Sequence, residues 1–239
     1  MEQAKGRSRE MGSVGMNYVV FDMEFTVLRK QQNLSDILEI GAVKLRDDCG
    51  QPVLIDMFHT YVQPHLHRSI SPLTTEFTGI TQQQVDNAPS FSEAARQFGD
   101  WLKDGGADTP YYLCSWGPDD KFQLLRHCTM HKISMDWVRN YNDIQLAHTR
   151  LKGGDHGQRW GLKRALDDAG LAFFGSPHNG LDDAYNTAKL FVKMYPEIKL
   201  EQNSADELMY STTVVYSTSS EEDKDNPFKG LAEKLGFVI

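Results

Sequence analysis

The sequence predicts an α/β domain: a mixed β-sheet, three antiparallel strands plus parallel strands, flanked by α-helices. Three observations carry that reading. Three apolar, strand-like runs follow one another between residues 18 and 64. The turn sequence Asp-Asp-Cys-Gly-Gln-Pro joins the second run to the third, so the sheet begins as an antiparallel meander. Beyond residue 89, amphipathic helical segments alternate with a short buried strand, as in a sheet with helices packed against it.

The first run, Tyr18-Val19-Val20-Phe21, is a buried strand that leads directly into Asp22 and Glu24. "ILEIGAVKLRD" and "VLIDMFHTYVQP" are the second and third strands. "PSFSEAARQFGDWL" is a helix, with Ser90 and Glu93 at capping-box spacing and Phe91, Ala94, Ala95, Phe98, Trp101 and Leu102 as its apolar stripe. "PYYLCSW" is a short strand ending at Gly117-Pro118, and "DDKFQLLRHCTMH" is the helix after it. "WGLKRALDDAGL" and "GLDDAYNTAKLFVKMY" have helical periodicity. Residues 1–16 are expected to be a disordered leader, with Met16 an alternative natural start, and residues 17–199 the folded domain. The Ser/Thr-rich and then acidic composition of residues 200–239 reads as a linker and a short terminal segment, "FKGLAEKLGFVI", that docks on a protein partner or a second copy.

Composition bounds the function. No apolar stretch is long enough for a membrane span, and three cysteines without paired spacing point to a reducing, cytoplasmic compartment. The formal charge of −8 is uneven: eight acidic and three basic residues from Glu201 onward account for −5, leaving −3 for the rest. Bulk charge therefore neither supports nor excludes a nucleic-acid substrate.

Chemistry enters through carboxylates at element boundaries. Alternate residues of a strand share a face, so Asp22 and Glu24 point the same way. Two carboxylates so placed either sit in water or chelate a hard divalent cation such as Mg²⁺ or Mn²⁺. Asp119 and Asp120 follow the fourth strand; Asp182 and Asp183 open the last long helix, with His178 just before it. Taken singly, such residues are helix caps or solvated loop groups. Together they can converge only at one edge of the sheet, where open α/β sheets build sites. Three carboxylates with further oxygens suit two hard cations clamping a phosphoryl displacement, and a histidine outside them can take a proton from water. A rival cluster, His127, Cys128 and His131, has a helix-face spacing that zinc can use, but it lacks the glutamate of a zinc-protease motif.

In motif order, "FDMEFT", "DILEIGAVKL", "FTGITQQQVDNAPSF", "CSWGPDDKFQLL" and "HNGLDDAYNTAKL" resemble the DEDDh family of 3′–5′ exonucleases, in the branch of the histone-mRNA 3′ exonuclease and the sporulation inhibitor KapD. The similarity runs from residue 17 to about 196. It implies an RNase H-like fold and two metal ions. Asp22 would bridge both; Glu24 and Asp183 would hold the one that activates water; Asp120 would support the other, and His178 would be the general base. A one-residue shift would exchange Asp120 for Asp119, and Asp182 reads as a helix-capping neighbour of Asp183. Met23, Phe25 and Thr26 would line the terminal nucleotide, with Phe77, Ile80 and Trp116 offering surfaces to bases; core packing is the competing role for Phe25 and Trp116. Arg159, Lys163 and Arg164 could meet phosphates or form a solvated helix face. The implied activity is metal-dependent release of nucleoside 5′-monophosphates from the 3′ end of single-stranded nucleic acid, RNA favoured over DNA. A phosphodiesterase of short oligonucleotides or dinucleotides, and a nuclease-like regulatory protein acting through partners, are the alternatives.

Overall fold

The computed structural model describes residues 15–28, 34–103, 109–154 and 158–210. Most of the expected leader and tail, residues 1–14 and 211–239, lies outside them. Five strands form one sheet: β1 (Asn17–Phe25), β2 (Ile37–Asp48), β3 (Gln51–Tyr61), β4 (Tyr111–Ser115) and β5 (Tyr141–Asp143). Their spatial order is β3-β2-β1-β4-β5; β1, β2 and β3 pair antiparallel, while β4 lies parallel to β1 and β5 parallel to β4. The mixed sheet read from the sequence is the one observed.

Strand alternation builds two cores. Val19, Phe21 and Met23 of β1 face one way, with Phe98, Leu102, Leu113 and Leu124. Tyr18 and Val20 face the other, with Val43, Leu45, Ala184, Leu190 and Phe191. The helices supply these layers: α1 (Pro72–Thr78), α2 (Gln82–Asp86), α3 (Phe91–Lys103), α4 (Asp119–Met130), α5 (Ile144–Leu151), α6 (Leu162–Asp168), α7 (Gly180–Met194) and α8 (Ala205–Tyr210). The stripe expected on α3 is buried apart from the half-buried Trp101. Its capping box is half formed. Ser90 Oγ accepts from the Glu93 N–H at 3.4 Å, but the Glu93 carboxylate turns to Arg96 at 2.7 Å.

Residues 201–208, past Lys199, belong to the packed body. Asn203 exchanges hydrogen bonds with Tyr141, its Oδ1 accepting from the Tyr141 N–H and its Nδ2 donating to the Tyr141 carbonyl, both at 2.8 Å. Asn142 holds Glu201 in the same way, at 2.7 and 3.0 Å. These amides satisfy the outer edge of β5, and Leu208 of α8 enters the first core. No helix among the described residues is long and apolar enough to cross a membrane.

Candidate active site

Parity on β1 decides where the acids go. Asp22 and Glu24 follow Tyr18 and Val20 onto the face covered by α7. Gly41 on β2, opposite Asp22, admits α7 to backbone contact: a Cβ there would lie 2.2 Å from the Gly180 carbonyl carbon and the Leu181 nitrogen. The first turn of α7, with Asp183, is thereby laid across the carboxylate end of β1.

Two turns of chain aim the remaining groups. Gly117, at a φ of 101° open to glycine, turns the chain from β4 into α4. Its carbonyl accepts from Ser115 Oγ at 2.7 Å and from Tyr141 Oη at 2.6 Å. α4 then delivers Asp120, 5% exposed, whose Oδ1 accepts from the Met23 N–H at 2.9 Å; its neighbour Asp119 is exposed. At the start of α7 the cap is Asn179, whose Oδ1 accepts from the Asp182 N–H at 3.0 Å. The sequence had suggested Asp182 as a capping acid; its carboxylate instead accepts from the Ser176 N–H at 2.8 Å and ties down the preceding loop. Asp183 Oδ2 accepts from the His178 N–H at 2.9 Å, and His178 takes a left-handed φ of 63°, a strained choice for a side-chain-bearing residue.

One ligand atom each from Glu24, His178 and Asp183 lies within 4.8 Å of the others, the sole such group of three among the described residues. The electrostatics are those of crowded anions. Burial first, and then the neighbouring acids, push Asp22 well above the usual carboxylate range and raise Glu24 to about 9. Burial likewise raises Asp120 to about 8, against the Met23 N–H that lowers it, and Asp183 to about 7, against the His178 N–H. Burial holds the His178 imidazole below its ordinary value. Buried carboxylates in mutual repulsion, with no lysine or arginine salt bridge to them among the described residues, fit hard divalent cations as the charge that settles them.

Other residues singled out in the sequence have structural partners. Ile80 is 2% exposed and packs with Leu38 and Val85, so its side chain supports its loop and presents nothing to a base. Met23 and Thr26 are buried, and Thr26 Oγ1 accepts from the Asp36 N–H at 2.8 Å. The Trp116 indole donates to the Trp160 carbonyl at 3.2 Å and packs in the second core. Phe25 is half-buried against the first core. Phe77, also half-buried, meets the His178 ring. Arg159 pairs with Asp143 at 2.6 Å, and Arg164 lies over the Trp160 ring. In the rival cluster His127 Nε2 bonds the Ser35 carbonyl at 2.8 Å, and Cys128 lies in the first core with its thiol pushed up to about 12 by burial.

A fifth acid escaped sequence reasoning. Glu39, fully buried, stands opposite Glu24 in the β1–β2 ladder; one oxygen meets His59 Nε2 at 2.7 Å and the other has no hydrogen-bond partner. Its charge adds to the upward shifts of Asp22, Glu24 and Asp183. Alternation along "ILEIGAV" would have placed it there, had the register with β1 been known.

With this geometry in view, the chain compares directly with known proteins. Residues 19–191 match the Exonuclease (RNase_T) family model. The chain belongs to the DEDDh exonuclease family. ERI1 exoribonuclease 2 of Danio rerio is 32% identical to it over 195 residues, covering 74% of this chain and 34% of that protein. The PolC-type DNA polymerase III of Thermotoga petrophila is also 32% identical, over 76% of this chain but 12% of its own length. The chain thus spans about a third or less of these relatives. Among solved structures, the nuclease domain of 3′hExo, a DEDDh family member, bound to rAMP, superposes with a TM-score of 0.70 at 26% identity, over 79% of this chain and 96% of that one. A 3′-exonuclease solved for recognition of the histone mRNA stem-loop gives 0.71 at 25% identity, over 82% and 70%.

Proposed function

We propose that this DEDDh domain is a 3′–5′ exonuclease that releases nucleoside 5′-monophosphates from single-stranded RNA. The observation that carries the reading is the convergence of Glu24, Asp183 and His178 within 4.8 Å, on the strand face that also holds Asp22. Asp22, Glu24, Asp120 and Asp183 would hold two divalent cations, Mg²⁺ or Mn²⁺, which when bound supply electrophilic stabilisation to both oxygens of the displacement. Asp120, fixed by the Met23 N–H, has one oxygen committed to the backbone, so it offers its other oxygen. His178 acts as general base. Its lowered pKa keeps the imidazole neutral near pH 7 and free to accept a proton from the attacking water. Asp183 orients the backbone of His178 through the 2.9 Å hydrogen bond, so one residue serves both the cations and the base.

The 3′hExo structures and the ERI1 relatives favour RNA. The PolC-type match keeps DNA as the second reading, and the absence of a basic stripe in the sequence favours short oligonucleotides over long ones. A regulatory protein without catalysis would be expected to lose an acid or the base, whereas all five positions carry competent residues. We place the protein in the cytoplasm, with its terminal segment docking on a partner or a second copy.

The decisive test offers labelled single-stranded RNA, single-stranded DNA, a dinucleotide and a circular strand with Mg²⁺, Mn²⁺ or EDTA. Stepwise 5′-monophosphate release from linear RNA, requiring the cation, is expected. Cleavage of the circle, or full activity in EDTA, refutes the reading. In parallel, His178→Ala should cut turnover by about 10²–10⁴ while cation affinity is retained. A joint fall in both would make the histidine a ligand.

A further inference from the structure

The loop that carries His178 is laced to α7 at alternate residues. The Phe174 N–H donates to Asn186 Oδ1 at 2.9 Å, the Ser176 N–H to Asp182 Oδ2 at 2.8 Å and the His178 N–H to Asp183 Oδ2 at 2.9 Å. Asn186, fully buried, closes the first of these from both sides, its Nδ2 donating to the Phe174 carbonyl at 2.7 Å. Gly175 is required between them: its φ is 75°, and a Cβ there would lie 2.1 Å from Asp182 Oδ2. Residues 174–178 are therefore a rigid arm with the general base at one end. At the other end is an exposed aromatic ring.

Adjacent residues of this arm part company. Phe173 packs against the second core, while Phe174 is 60% exposed, more than any other large apolar side chain among the described residues. Single exposed apolar side chains are ordinary, but this one is neither single nor loose. Its ring meets Tyr185 edge to face, centroids 5.3 Å apart, and both its backbone polar groups are pinned by Asn186. One turn further along α7, Lys189 brings its Nζ to 5.9 Å from the centre of the Tyr185 ring. Lys189 and Lys193 donate to the carbonyls of Ala172 and Ala169, which fixes two positive charges on the same flank. An aromatic surface held still beside two cations suits a nucleobase and its phosphates, since stacking accepts any base and little ordering remains to be done on binding. The two charges select a polyanion over an apolar protein surface.

Four residues of extended chain span at most about 14 Å, which about four stacked nucleotides cover at roughly 3.4 Å each. We infer that Phe174, with Tyr185, is an upstream base-binding platform: it stacks a nucleobase of the substrate strand about two to four nucleotides 5′ of the bond hydrolysed. This rests on the nuclease reading above and extends it to substrate length. Strands long enough to reach Phe174 are held more tightly than a dinucleotide, and the hold is indifferent to sequence.

The test offers a dinucleotide, a six-nucleotide strand, and six-nucleotide strands with one abasic position moved along them to the wild type, Phe174→Ala and Phe174→Trp. Phe174→Ala should raise KM for the six-nucleotide strand by about 5- to 150-fold, with kcat and both dinucleotide constants within about twofold of the wild type. Phe174→Trp should keep or lower the wild-type KM. One internal abasic position should reproduce the loss in the wild type and have no further effect in Phe174→Ala. A rise in KM shared equally by the dinucleotide, or a fall in kcat, would mean that the ring only steadies the arm of His178, and would overturn the platform. An unchanged KM for every strand would overturn it too, and leave the ring to a protein partner. Direct binding keeps the platform and the nuclease reading apart. Fluorescence anisotropy of a labelled six-nucleotide strand with a non-hydrolysable linkage reads affinity without turnover. Equal affinities in the wild type and Phe174→Ala refute the platform. A Phe174-dependent affinity, with no strand hydrolysed by the wild type, upholds the platform and refutes the nuclease reading alone.

Discussion

Asp22 lies at the centre of the repulsion, raised by burial and then by Asp120, Asp183, Glu24 and Glu39 in turn. Its removal should accordingly have effects of opposite sign. Asp22→Asn is expected to lower hydrolysis by about 10² or more, because the electrostatic stabilisation of the displacement goes with it. The same substitution relieves the metal-free protein of one buried like charge, so its melting temperature above pH 7 should rise by a few degrees, at about 2–4 °C per kcal/mol for a domain of this size. Calorimetry on the metal-free pair, beside an activity assay, reads both. A fall in both quantities would mean that Asp22 is held by a structural partner after all. Asp22, Glu24, Asp183 and His178 were legible as residues because their types and spacings are chemical. Glu39 was not, because only the register against β1 reveals that it faces the same way.

At the scale of elements, the segments with strong periodicity, β1 to β3, α3, α4, α6 and α7, stand where the apolar pattern puts them. Two of the missed elements, β5 and α8, escape for separate physical reasons. β5 has three residues, too few for any period, and its outer edge is held by the Asn203 amide on Tyr141 and by the Asn142 amide on Glu201, which no pattern announces. α8 lies past the composition break, yet Leu208 is 5% exposed in the first core. Leu208→Ala should therefore destabilise the domain by about 2–5 kcal/mol, as large-to-small core changes do. A protein ending at Leu200 should lose more, since the Asn203 amide goes too. Chemical denaturation measures both, and an unchanged midpoint would return residues 201–210 to the linker.

For the whole molecule the acid cluster makes a pH prediction. Glu24, Asp120 and Asp183 are raised in the folded state to about 9, 8 and 7, against roughly 4 for unfolded carboxylates. Between those limits the folded protein keeps protons that the unfolded chain has released. The stabilising contribution is therefore complete below about pH 4 and is lost as pH rises toward 9. The metal-free domain should lose stability across that interval. Added Mg²⁺ or Mn²⁺ should restore more at pH 8 than at pH 5, where it must first displace protons. Melting curves at four pH values with and without the cation check this, and equal cation effects at pH 5 and pH 8 would contradict it.

The contact between Gly41 and the Gly180–Leu181 peptide carries one more consequence. The separation between Glu24 and Asp183 is gauged by the thickness of two bare backbones, since a single methyl at residue 41 would come within 2.2 Å of the neighbouring chain. A cation tolerates errors of only a few tenths of an ångström in its ligands. The calibration of the site is thus entrusted to two residues with no chemistry of their own. A survey for reactive side chains passes over them, although a methyl at residue 41 would put the instrument out of true.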